Sequence, residues 1–103
     1  EDIRTILQHK ILVLDGAMGT MLQNQNPTLA DFENHEGCNE ILNITRPDIV
    51  KAVHIEYLKT GVDAIETNTF GANFANLAEY GIEDRIFELA LAGAKIAREA
   101  SSA

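Results

Sequence analysis

The chain has 103 residues, a formal net charge of −8 and a single cysteine, Cys38. Its eight Lys and Arg residues are scattered among 16 acidic ones, a balance that excludes nucleic acid and anionic membrane surfaces as partners, because both need clustered cations to neutralise phosphate. No apolar stretch reaches the roughly 20 residues of a membrane span, the amino terminus is acidic where a secretory leader is basic, and one cysteine makes no internal disulfide. The expected location is the cytoplasm. A hydrophobic content of 46% with 23% charged residues fits one small globular domain over residues 1–103, with no second domain.

In chain order, Asp2 is placed to cap a short helix to Gln8 with Ile3, Ile6 and Leu7 at helical spacing. The continuous apolar run Ile11-Leu12-Val13-Leu14 reads as a strand covered on both faces, as in a parallel sheet. It leads into Asp15-Gly16-Ala17-Met18-Gly19-Thr20, a carboxylate delivered onto a glycine-rich turn, and residues 20–23 follow as a helical turn. Residues 24–44, rich in Asn, Gly, acids and Pro27, read as a long, partly ordered loop. Thr45-Arg46-Pro47-Asp48 combines a hydroxyl cap, a first-turn proline and an acid three residues on, which predicts a helix to about Thr60 with Ile49, Val50, Val53, Tyr57 and Leu58 on its apolar face. Gly61 stops it. A second strand is expected over residues 62–66, then a short helix over 73–79 and a longer one from Glu83 to Ala100, with Ile86, Leu89, Ala90, Gly93, Ala94 and Ala97 facing inward and small enough for close approach to a sheet.

This order defines an α/β fold, one βαβα unit whose crossovers are long enough for parallel pairing. Two parallel strands cannot cover their own apolar faces, so the reading implies further strands past Ala103 and makes the chain the amino-terminal portion of a larger sheet or barrel. Ligands in such folds sit at the carboxyl ends of strands. That face would gather Asp15, Gly16 and the group Glu66-Thr67-Asn68-Thr69, with the two threonines on one side and Asn68 pointing elsewhere. A carboxylate suits an ammonium group and glycines leave backbone N–H groups open to a carboxylate, which together fit an amino acid.

Three segments carry a resemblance: Asp-Gly-Ala-Met-Gly-Thr-Met-Leu at 15–22, Gly-Cys-Asn-Glu-Ile-Leu-Asn-Ile-Thr-Arg-Pro-Asp at 37–48, and Glu-Thr-Asn-Thr-Phe-Gly-Ala-Asn at 66–73. Taken in order, they resemble the start of the homocysteine S-methyltransferase family, in particular its bacterial cobalamin-dependent, methionine-forming branch. The resemblance implies the first two βα units of a (β/α)8 TIM barrel that binds homocysteine and zinc. In that family zinc activates the thiol, and the methyl group comes from methylcobalamin, recharged from methyltetrahydrofolate on other domains. By motif position Asp15 would hold the homocysteine amino group, Gly16 would lie against the substrate, and Glu66, Thr67, Asn68 and Thr69 would line the pocket. The zinc cysteines would lie in later strands, so no catalytic or metal-binding residue is expected in this chain. A relative using S-methylmethionine or betaine would share the pocket, and a truncated barrel could be a non-catalytic module.

Each signal also has a structural reading. Asp15 can cap a turn, Glu66 can be an interior polar group, and the threonines can be ordinary strand formers. His54 reads as a surface or packing residue, His9 and His35 have no partners at ligand spacing, Met18 and Met21 read as core, and Cys38 as a structural thiol. Asp31, Glu33, Glu36 and Glu40 read as a solvated acidic loop.

Overall fold

The computed structural model describes residues 2–102. Six α-helices account for most of its regular structure: α1 (Ile3–Leu7), α2 (Gly19–Gln23), α3 (Leu42–Thr45), α4 (Pro47–Lys59), α5 (Phe74–Ala78) and α6 (Ile86–Ser102), with 3-10 turns at Asn39–Ile41 and Glu83–Arg85. None of them is long and apolar enough to cross a membrane.

The expected α/β fold is corrected: the described residues contain no β-strand, so neither the βαβα unit nor the portion of a (β/α)8 barrel is formed. The two segments read as strands do pass side by side, but they meet in one isolated parallel bridge, Leu14 with Ala64. Asp63 N–H and Ala64 N–H both donate to the Val13 carbonyl, at 2.8 and 3.3 Å, and Asp15 N–H donates to the Ala64 carbonyl at 3.2 Å. A ladder does not extend from there. Val13 N–H is taken by the Asp63 carboxylate at 2.9 Å instead of a backbone carbonyl, and Lys10 pairs with the same carboxylate at 2.8 Å, holding it below the usual carboxylate range. The apolar run is also uncovered, with Ile11 87% exposed and Val13 and Leu14 more than half exposed. Four apolar residues in a row are compatible with more than one conformation, and without neighbours on both sides nothing drives them into a sheet.

The helices follow their sequence signals more closely. Asp2 caps α1 by accepting from Arg4 N–H at 2.8 Å, although no residue of that helix is buried. Helix α4 begins with Pro47 in its first turn and buries Ile49, Val50 and Val53, as the spacing predicts. Thr45 is not its cap. It ends α3, with its hydroxyl donated back to the Asp31 and Ile41 carbonyls, and Arg46 occupies the cap position without a side-chain bond to the helix. Gly61, with φ of +94°, adopts the left-handed conformation just past the end of α4 that favours glycine.

Two buried clusters hold the helices together. In one, Leu22, Phe32, Leu42, Ile49, Val50, Val53 and Ile96 join α2, α3, α4 and α6; in the other, Cys38, Ile41, Leu77, Ile82 and Leu89 join the 38–41 turn to α5 and α6. The segment read as a loop over 24–44 therefore supplies core: Phe32, Cys38, Ile41 and Leu42 are all buried. Helix α6 buries Leu89, Gly93, Ile96, Ala97 and Ala100, an i, i+4, i+7, i+8, i+11 stripe, while Ala94 is exposed, contrary to expectation.

Gly93 permits close approach to a polar seam rather than to a sheet. A Cβ there would stand 2.8 Å from Asn43 Nδ2, 2.9 Å from Thr69 Cγ2 and 3.3 Å from the Asn68 carbonyl. Gly93→Ala is expected to destabilise the fold by about 1–3 kcal/mol through overpacking, exceeding the gain of about 1 kcal/mol from better helix propensity. Urea unfolding measures it, and a stabilised variant would contradict the packing.

Candidate functional site

The bridge between the 11–14 and 62–66 segments brings the two polar junctions together. Asp15, only 8% exposed, accepts the Glu66 N–H on both carboxylate oxygens, at 3.1 and 3.2 Å. A charged acceptor thus fixes the start of the 66–69 segment across 51 residues of sequence. A cleft of about 300 Å³ opens beside this contact, lined by Asp15, Gly16, Met18, Gly19, Asn39, Glu40, Glu66, Thr67, Asn68 and Phe70.

The six residues singled out from sequence have distinct positions. Asp15, Gly16, Glu66, Thr67 and Asn68 line the cleft, whereas Thr69 is not among its lining residues. Glu66 and Thr67 are exposed. The hydroxyls of Thr67 and Thr69 share a hydrogen bond of 2.6 Å, which orients Thr67 at the rim. Asn68 is buried in a reciprocal amide pair: its Nδ2 donates to Asn43 Oδ1 at 2.9 Å and to the Asn39 carbonyl at 3.0 Å, while Asn43 Nδ2 donates to the Asn68 carbonyl at 2.8 Å and the Leu89 carbonyl at 3.1 Å. This pairing locks the floor of the cleft to α3 and α6.

Glu40 was read as part of a solvated loop, together with Asp31, Glu33 and Glu36, and that reading is corrected for it. It is 6% exposed, and its Oε2 accepts the Gly71 N–H at 3.0 Å while Oε1 lies 3.8 Å from the Cys38 thiol that donates to it. Asp31 and Glu33 pair with Arg46 and Arg85, each at 3.0 Å, and Glu33 and Glu36 keep the exposure expected. Gly71 has to be glycine for this contact, since a Cβ would meet Asn76 Nδ2 at 2.5 Å and Glu40 Oε1 at 2.9 Å. Asn39, Glu40 and Phe70 were missed as cleft residues. The available signal was their place inside two of the quoted motifs, where they sit next to Cys38 and Thr69.

Burial and the nearby Glu40 carboxylate push the Cys38 thiol above its ordinary pKa, the state of an inert packed cysteine. Zinc, implied by the resemblance, is corrected for this chain: among the described residues no group of three or more His, Cys, Asp and Glu side chains is arranged to hold a metal ion.

His54 is fully buried on α4, and neither ring nitrogen has a hydrogen-bond partner among the described residues. Burial lowers its pKa from the ordinary 6.5, opposed by the Asp15 carboxylate. The folded chain therefore binds this proton less readily than the unfolded one. Its contribution to stability is fully present above about pH 6.5 and is lost as pH falls toward the lowered folded value. Unfolding free energy is expected to decline as pH falls below about 6.5, and to decline less in His54→Leu; parallel pH profiles for the two proteins would contradict the assignment.

With this geometry in view, the comparisons are specific. The profile of the homocysteine S-methyltransferase family matches residues 12–103, and the chain belongs to that family. It is 53% identical over 97 residues to a methionine synthase of Mycobacterium tuberculosis and 50% identical over the same length to the methionine synthase of Mycobacterium leprae, in each case over 94% of this chain and 8% of the relative. The chain thus spans only a small part of the length of these curated relatives. Among solved structures it is similar to the homocysteine methyltransferase MmuM of Escherichia coli in its metallated form, with a TM-score of 0.74 and 26% identity, covering 97% of this chain and 34% of that one.

Proposed function

We propose that this chain forms a homocysteine-binding wall of a homocysteine S-methyltransferase, an enzyme that transfers a methyl group to the substrate sulfur to give methionine. The observation that carries the reading is the contact of a buried Asp15 with the N–H of an exposed Glu66 in a cleft that Gly16 and Gly19 also line. Three lining carboxylates, Asp15, Glu66 and the Glu40 that also accepts the Gly71 N–H, with no lining Lys or Arg, suit the substrate ammonium. The glycine turn lets its backbone N–H groups approach the substrate carboxylate. Met18 and Phe70 offer soft, apolar contacts for the methylene and thiol portion.

All of these residues bear on the methyl acceptor. The methylcobalamin and methyltetrahydrofolate reading and the S-methylmethionine or betaine reading differ on the donor side, where the cleft supplies no discriminating group. The donor-neutral reading, a homocysteine methyltransferase, is therefore the one that this cleft and the family membership support.

The test is calorimetric titration of the intact protein with L-homocysteine and with 4-mercaptobutanoate, which lacks only the amino group. Preference for L-homocysteine that disappears in Asp15→Asn is expected. Equal binding of both by the unmodified protein would overturn the assignment of the carboxylates to the ammonium.

A further inference from the structure

We infer that Tyr57 is a positioning residue that sets the height of the Gly16–Met18 turn at the cleft, an inference that rests on the homocysteine reading for its functional consequence. Tyr57 lies on α4, with its ring packed against the cluster that contains Leu22, Val50 and Val53. Its hydroxyl reaches across 40 residues of sequence to donate to the Ala17 carbonyl at 2.6 Å. Among the described residues the other hydrogen bond to residues 16–18 is local, from Leu22 N–H in the adjoining α2 to the Met18 carbonyl at 2.8 Å, so the Tyr57 bond is the one that reaches them from a distant part of the chain. On either side of Ala17, Gly16 and Met18 line the cleft.

The same hydroxyl explains the glycine before Ala17. A Cβ on Gly16 would lie 3.3 Å from the Tyr57 oxygen but 3.9 Å from the nearest ring carbons, Cε1 and Cζ. The oxygen alone makes the position tight, and the ring beneath it is at ordinary contact distance. The turn is thus drawn onto α4 by one bond and kept close by the absence of one side chain. Helix α4 is in turn packed against α6, so the turn inherits its placement from the core rather than from its own short segment.

The coupling gives a test that a merely structural tyrosine would fail. In the intact protein, Tyr57→Phe is expected to lower the backbone amide order parameters of residues 16–18, with those of α4 and α6 unchanged, and to raise the dissociation constant for L-homocysteine by about 3- to 10-fold, the worth of one neutral hydrogen bond. Gly16→Ala alone is expected to lower the urea midpoint, and to lower it by less in the Tyr57→Phe background, where the oxygen it would crowd is gone. Unchanged order parameters at 16–18, a dissociation constant unmoved by Tyr57→Phe, or fully additive losses of stability in the double variant would each overturn the inference. Absence of any L-homocysteine binding by the unmodified protein would instead remove the substrate reading. The order-parameter measurement, made without ligand, would still decide whether Tyr57 holds the turn.

Discussion

Asp15→Asn in the intact protein is expected to weaken L-homocysteine binding by about 2–5 kcal/mol, the loss of a charge-assisted contact to a buried carboxylate. The substitution suits the purpose because it leaves the fold a substitute acceptor. The amide oxygen can still receive the Glu66 N–H that both Asp15 oxygens now share. What it removes is the negative charge, and it points a donor where the substrate ammonium would lie. Titration calorimetry reads the affinity, with the urea midpoint as the control for folding. Unchanged affinity in a folded variant would remove Asp15 from the site.

A second large effect is expected at the floor of the cleft. Asn43→Leu, close to isosteric, should cost about 2–4 kcal/mol in unfolding free energy, because it withdraws a buried amide from several partners at once. The Asn68 side chain would keep only its bond to the Asn39 carbonyl, and the Asn68 and Leu89 carbonyls would both lose the Asn43 donor. Urea unfolding measures the loss. A change below about 0.5 kcal/mol would show that the seam between α3, α6 and the 68–69 segment carries no net stability.

The two polar junctions were legible because their chemistry is local: an acid beside glycines at 15–19, and Glu66 to Asn68 next to Phe70-Gly71. Helices α4 and α6 were legible for a similar reason, since a 3.6-residue stripe records which face is buried. The strands failed because a run of four or five apolar residues has no period that separates strand from irregular chain, and pairing depends on neighbours that sequence does not display. Thr45 satisfied the pattern of a helix cap while its hydroxyl was already committed to the Asp31 carbonyl. Glu40 was invisible as a buried group because the residue that satisfies it, Gly71, is 31 positions away. His54 was open to either reading from its place on α4, and the structure selects burial.

The central claim is that the cleft beside the Asp15–Glu66 contact receives the amino-acid end of homocysteine. The most direct test is a crystal structure of the intact protein grown with L-homocysteine. The predicted result is the substrate nitrogen about 2.7–3.2 Å from a carboxylate oxygen of Asp15 or Glu66, with the substrate carboxylate against the Gly16–Gly19 turn. Well-ordered homocysteine bound elsewhere, with this cleft holding only solvent, would contradict it.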